Sequence, residues 1–177
     1  TCAIDIMDYD ENSLYFLTAR GKRFYERLKA NDNIAFTAMK GEDTLSCVSI
    51  SVQGKAKEIG SDKLPDLFAK NPYMAKIYPD ARSRGALTVF QIIEGTGEQF
   101  DLSKQPIERV SFSFGGVQAK KTGYVVTEKC IGCQRCYAHC PQKCIDLTRV
   151  PVVIEQHHCL HCGNCFEICP VSAIEKR

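Results

Sequence analysis

Apolar positions in the first two thirds of the chain fall mostly into short runs with strand-like spacing, broken by two stretches of helical spacing. Residues 2–7 read as a strand, followed by a turn at Tyr9-Asp10-Glu11-Asn12-Ser13. Residues 14–18, rich in aromatic and β-branched side chains, predict the next strand, and Ala19-Arg20-Gly21 breaks it. Between Lys22 and Asn31, Phe24 and Leu28 share one face of a predicted helix, with Asn31 as its stop. Further strands are predicted over 34–39 and over 44–59, the latter bent by a bulge at Gly54. Ser61 is expected to cap a second helix carrying Leu64, Leu67 and Phe68, which Asn71-Pro72 interrupts. A strand over 87–94, a turn at Gly95-Thr96-Gly97, a strand over 99–102 and the alternating run 110–114 complete the series. Strands with two helices set between them predict an antiparallel α+β barrel or sandwich. Residues 1–114 read as one domain, 115–123 as a linker and 124–177 as a second domain. Because the chain opens at Thr1 directly on a strand pattern, a preceding strand is expected upstream.

Past the linker the pattern changes from apolar periodicity to cysteine spacing. Cys130-Ile131-Gly132-Cys133-Gln134-Arg135-Cys136-Tyr137-Ala138-His139-Cys140-Pro141 is matched, 29 residues later, by Cys159-Leu160-His161-Cys162-Gly163-Asn164-Cys165-Phe166-Glu167-Ile168-Cys169-Pro170. Both halves resemble the C-x2-C-x2-C-x3-C-P run of bacterial ferredoxins, with two 4Fe–4S clusters on a small ferredoxin-like α+β domain. A cubane wants one thiolate at each of four corners, and three cysteines two residues apart wrap three of them. The resemblance implies that the fourth comes from the other half. Cys130, Cys133, Cys136 and Cys169 then bind one cluster, and Cys140, Cys159, Cys162 and Cys165 the other. Each Pro after the fourth cysteine is expected to open a short helix. Zinc is the alternative, but its sites pair two C-x2-C knuckles. Disulfides need an oxidising compartment, and no signal peptide is visible. Aligned pairs Ile145 and Ile174, Tyr137 and Phe166, and Ile131 and Leu160 are expected to form a small core around the clusters. Cys144 aligns with Ala173 and reads as packing. His139, His157, His158 and His161 read as surface residues.

Composition changes this picture in two ways. Of 11 cysteines only Cys2 and Cys47 lie outside the module, a usage that fits metal sites in a reducing cytoplasm. The formal charge of +2 counts no thiolates, and two cluster-thiolate units of about −2 each bring the whole to about −2. Nucleic-acid binding is therefore not expected, and no apolar run is long enough to span a membrane.

The N-terminal domain carries a second resemblance. Tyr9-Asp10-Glu11, Leu14-Tyr15-Phe16-Leu17-Thr18, Lys22-Arg23, Leu28 and Asn31 resemble the FMN-binding split β-barrel of pyridoxamine 5′-phosphate oxidase-like proteins. Ser49-Ile50-Ser51-Val52-Gln53-Gly54, Phe90-Gln91 and Phe100-Asp101-Leu102 extend the likeness over nearly all of 1–114. It implies that Thr18, Lys22 and Arg23 hold the FMN phosphate and that the backbone at Ala3, Ile4 and Leu17 runs along the isoalloxazine. Ser49 and Ser51 stand at flavin-contact positions where the family often has Gln and Arg. A hydroxyl, cations and free helix N–H groups converging at a strand–helix turn suit a phosphate, while a surface turn with solvated Lys and Arg is the plainer reading of the same residues. The basic tail with which the oxidases grip substrate has no counterpart, so vitamin B6 chemistry is not expected. The two resemblances together imply an oxidoreductase. It would pass electrons between a low-potential, ferredoxin-like donor, two 4Fe–4S clusters, FMN and a small organic acceptor. A non-catalytic electron carrier or a redox-sensing module is the alternative. The split-barrel family closes its flavin site with a second copy, which implies a homodimer.

Overall fold

In the computed structural model, which describes residues 1–177, the longest element is a 15-residue strand, β5 (Leu87–Asp101). Leu87, Thr88, Val89, Phe90 and Ile92 are almost fully buried, so both faces of this part of the strand are covered. β1 (Asp8–Tyr9), β2 (Leu14–Ala19), β3 (Asn33–Lys40), β4 (Val48–Gly60) and β6 (Glu108–Phe114) join it in a sheet ordered β1-β2-β5-β4-β3, with β6 also on β5. β1–β2 and β2–β5 are antiparallel, and the register places Phe16 opposite Phe90 and Leu17 opposite Val89. The order is an open path with β1 and β3 at its ends. The protein is thus a mixed α/β fold with antiparallel, unclosed sheets, where the sequence suggested a barrel or sandwich.

Strand alternation sends side chains to two apolar layers. Leu87 and Val89 pack with Tyr15, Leu67, Phe68 and Met74, which come from β2, α2 (Leu64–Lys70) and α3 (Met74–Ile77). Phe16, Phe90 and Ile92 pack with Leu28 of α1 (Arg23–Ala30), and the Phe16 and Phe90 rings stack at 5.5 Å. A fourth short helix, α4 (Ala81–Arg84), starts at a capping box formed by Asp80 and Ser83.

Several expectations are corrected here. Residues 2–7 form no strand; Met7 donates its N–H to the Tyr15 carbonyl, and Ile4 packs against the cluster of Phe16, Phe90 and Ile92. Gly95-Thr96-Gly97 is not a turn but lies within β5. The residue at the N-cap of α2 is Lys63, not Ser61, and no side chain caps it. Gly54 is a point of close approach: a Cβ there would fall 2.1 Å from the Glu94 carbonyl oxygen.

The chain divides into two compact units: Thr1–Phe36, Val52–Gly97 and Ser113–Gln118 in one, Thr37–Ser51, Glu98–Phe112 and Ala119–Arg177 in the other. Strands β3 to β6 contribute residues to both. The second unit also holds two small antiparallel ladders. β7 (Tyr124–Val126) pairs with β10 (Ile174–Lys176), and β8 (Ile145–Asp146) pairs with β9 (Val153–Ile154).

Candidate metal centre

Each ladder joins a strand of the first half of the repeat to one of the second. After Cys140 the chain enters β8, whose partner β9 leads into the Cys159 loop; after Cys169 it enters β10, whose partner β7 leads into the Cys130 loop. Strand pairing therefore carries each fourth cysteine to the other half's triplet. The third cysteine of each triplet sits on a short helix, Cys136 on α5 (Arg135–His139) and Cys165 on α6 (Asn164–Glu167). Pro141 and Pro170 open turns rather than the expected helices, with the Lys143 N–H on the Cys140 carbonyl and the Ser172 N–H on the Cys169 carbonyl.

The loops repeat in backbone angle as well as in sequence. Gly132 and His161, Gln134 and Gly163, and Lys143 and Ser172 are aligned pairs, and all six have positive φ. The left-handed turns thus recur whether or not glycine is present, at a cost in strain for Gln134, His161, Lys143 and Ser172. They aim amides inward: Gly132 N–H donates to Cys130 Sγ at 3.5 Å, and its counterpart His161 N–H to Cys159 Sγ at 3.3 Å. Ala173 N–H adds a bond to Cys169 Sγ at 3.2 Å. Such donors stabilise negative charge on sulfur.

Eight sulfurs are distributed between two hollows. Cys130, Cys133, Cys136 and Cys169 line one, walled by Ile131, Val126 and Ile174. Cys140, Cys159, Cys162 and Cys165 line another, with Cys144 beside them, walled by Ile145, Ile154 and Leu160. No three His, Cys, Asp or Glu side chains converge closely enough to hold a single metal ion. Each quartet instead lines one hollow. Apolar walls, thiols on four sides and amide donors to sulfur fit a 4Fe–4S cluster in each hollow.

Ile145 and Ile174 are buried in the core of this module, but Ile131 is 63% and Phe166 48% exposed, so these two stay outside the expected core. Cys144 is buried and lines the second hollow, its Sγ 3.6 Å from Cys140 Sγ. A shared hydrogen bond pushes the Cys144 thiol up and pulls Cys159 down, the latter helped by the His161 N–H and the Arg109 cation. Burial raises the Cys136 thiol above its ordinary value and pushes Cys165 up to about 11. His158 and His161 are half-buried rather than on the surface, and His161 Nε2 has no hydrogen-bond partner. Sequence spacing did not single out Arg109, whose Nε donates to the Cys159 carbonyl from 50 residues away.

In the first unit, Ala3, Ile4, Leu17, Thr18 and Lys22 line one pocket together with Met74 and Tyr78. Thr18 is buried near the end of β2, and Lys22 is the N-cap residue of α1, which no side chain caps. Arg23, Ser49 and Ser51 are not part of this lining. Arg23 starts α1, while Ser49 and Ser51 lie on β4, where Ser51 shares a hydrogen bond with Thr37. No helix is long and apolar enough to cross a membrane.

A search of curated proteins finds no match to the chain. A family model described as a 4Fe-4S dicluster domain matches residues 122–170, the span that holds both cysteine runs, and this match supports iron–sulfur electron transfer for this part of the chain.

Proposed function

We propose that the chain is an oxidoreductase passing electrons between a low-potential, ferredoxin-like donor, two 4Fe–4S clusters, FMN and a small organic acceptor in a reducing cytoplasm. The observation that carries the reading is that each of two hollows gathers three cysteines of one run with the fourth cysteine of the other, Cys144 adding a further thiol to the second hollow. In this reading those quartets are the cluster ligands. Bound there, the clusters supply one-electron transfer, and the flavin exchanges single electrons for pairs. The loop amides bias the sulfurs towards the thiolate form, and the apolar walls exclude water.

The flavin rests on the pocket in which Ala3, Ile4, Leu17, Thr18 and Lys22 come together. Lys22 would meet the phosphate with its ammonium, next to the free first N–H groups of α1. The N-terminal segment would lie along the ring system. Arg23, Ser49 and Ser51 have less support as contacts, since the pocket is lined without them. In this reading the chain is a homodimer, in which a second copy would close the flavin site.

Anaerobic purification with iron, sulfide and flavin analysis tests the reading. About eight irons and eight sulfides per chain with bound FMN are expected, as is catalytic reduction of an organic acceptor by reduced ferredoxin. Four zincs, or about four irons, would overturn the two-cluster assignment. Eight irons with no affinity for FMN would leave an electron carrier and remove the flavin.

A further inference from the structure

One charged side chain breaks the near-symmetry of the two cysteine loops. Arg109 of β6 donates from Nε to the Cys159 carbonyl at 3.1 Å and keeps only 15% side-chain exposure. Its guanidinium lies 4.8 Å from the centre of the Phe100 ring and donates from Nη1 to Glu98 at 2.5 Å. The same stretch of chain is fixed to the module at two more points. His158 Nδ1 bonds the Ile107 carbonyl at 2.8 Å, and Ile107 N–H donates to Gln142 Oε1 at 3.4 Å. The charge is therefore held in place beside the Cys159 loop.

Adding an electron to a cluster site makes it one unit more negative, and a fixed cation nearby favours that form. The Cys130 loop has its own cations, Lys129 and Arg135, but both are exposed. Water and salt screen them, whereas a mostly buried guanidinium bonded to the loop is screened far less. Glu98 opposes Arg109, yet its carboxylate bonds the guanidinium, while the guanidinium bonds the loop.

We propose that Arg109 raises the reduction potential of the site formed by Cys140, Cys159, Cys162 and Cys165 relative to that formed by Cys130, Cys133, Cys136 and Cys169. An electron delivered by a one-electron donor then settles on the Cys159 side: the Cys130 site is reoxidised as the Cys159 site is reduced, with no bond made or broken. The inference rests on the ligation proposed above.

The test is an EPR-monitored redox titration of the iron-loaded full chain, with dithionite as reductant and Cys159→Ser to mark which signal belongs to which site. Arg109→Gln is expected to lower the potential of the Cys159 site, the reduction equilibrium falling about tenfold, or ~59 mV for a one-electron couple. Glu98→Gln is expected to raise it, Arg109→Lys to keep most of it, and the Cys130 site to hold steady throughout. A role in packing alone would not give opposite signs for the two partners. If Arg109→Gln fails to load iron, Glu98→Gln and Arg109→Lys still decide. Two signals that do not move, or that move together, overturn the role of Arg109 while leaving the ligation intact. A single signal with about four irons overturns the ligation reading and this inference with it.

Discussion

Cys140 and Cys144 stand four positions apart, line the same hollow and bring their sulfurs within 3.6 Å of each other, yet the repeat gives them different roles. Cys140 aligns with Cys169, while Cys144 aligns with Ala173. Cys144→Ala is therefore expected to leave about eight irons per chain. Cys140→Ala in that background, where no neighbouring thiol can stand in, should leave about four and remove the EPR signal of the Cys159 site. Loss of the other signal would show that the fourth ligands do not cross over. In the first unit, Lys22→Ala removes a charge-assisted bond worth roughly 1.5–3 kcal/mol if the ammonium meets a phosphate. FMN affinity, followed by fluorescence quenching, should then weaken about tenfold to a hundredfold, with iron content unchanged. Equal affinity in variant and parent would make Lys22 a solvated cap residue. Spacing made the thiols legible because a metal site constrains sequence locally. Arg109 was not legible, since its contact with Cys159 bridges 50 residues and exists only once β6 is placed.

Among the elements, the sequence pattern located β2, α1 and β3 to within a residue or two, because each has a face it must bury. It misread 95–97 because a glycine has two uses. Gly95 reverses nothing: a Cβ there would lie 2.8 Å from the Phe114 ring and 3.0 Å from the Gln53 carbonyl oxygen. Its smallness lets strands approach, and Gly95→Ala should destabilise the fold by roughly 1–3 kcal/mol in chemical denaturation. A neutral substitution would mean that Phe114 swings aside freely. Short β1 is tied to its surroundings by charge: Asp8 accepts from Lys70 at 2.5 Å and pairs with Lys63 at 3.3 Å. The hydrogen bond from Lys70, ahead of the Tyr9 amide and Lys63, holds the Asp8 carboxyl below its ordinary value against the opposing effect of burial. A lowered folded pKa gives stability that is complete above the unfolded value, about 3.9, and fades as pH falls through the folded one. Asp8→Asn should cost roughly 1.5 kcal/mol at neutral pH, the low end for a charged hydrogen bond, since Lys70 is 57% exposed. The gap between variant and parent should shrink below about pH 4. A gap that persists undiminished in acid would assign Asp8 a packing role instead.

For the whole molecule, the open sheet leaves β3 as a terminal strand with most of its residues exposed. A second copy covering exposed apolar side chains such as Met39 and Leu45 should appear as a dimer in sedimentation at micromolar concentration, and a monomer that still retains FMN would argue against it. The small ladders of the second unit carry a different consequence. Because β8 pairs with β9 and β10 with β7, neither half of the module owns a complete wall: each hollow takes the fourth cysteine of its quartet and a strand from the other half. Filling one hollow therefore organises the other. A chain lacking a ligand of one hollow, as in Cys140→Ala, can load only the other and stops at one cluster. Assembly of the unaltered chain should be cooperative, so that a cell short of iron would accumulate mostly empty and fully loaded chains. Native mass spectrometry during stepwise reconstitution would show this as two mass peaks exchanging intensity with little between them. The duplication that gave the chain two clusters would then also have made it a threshold device for iron supply.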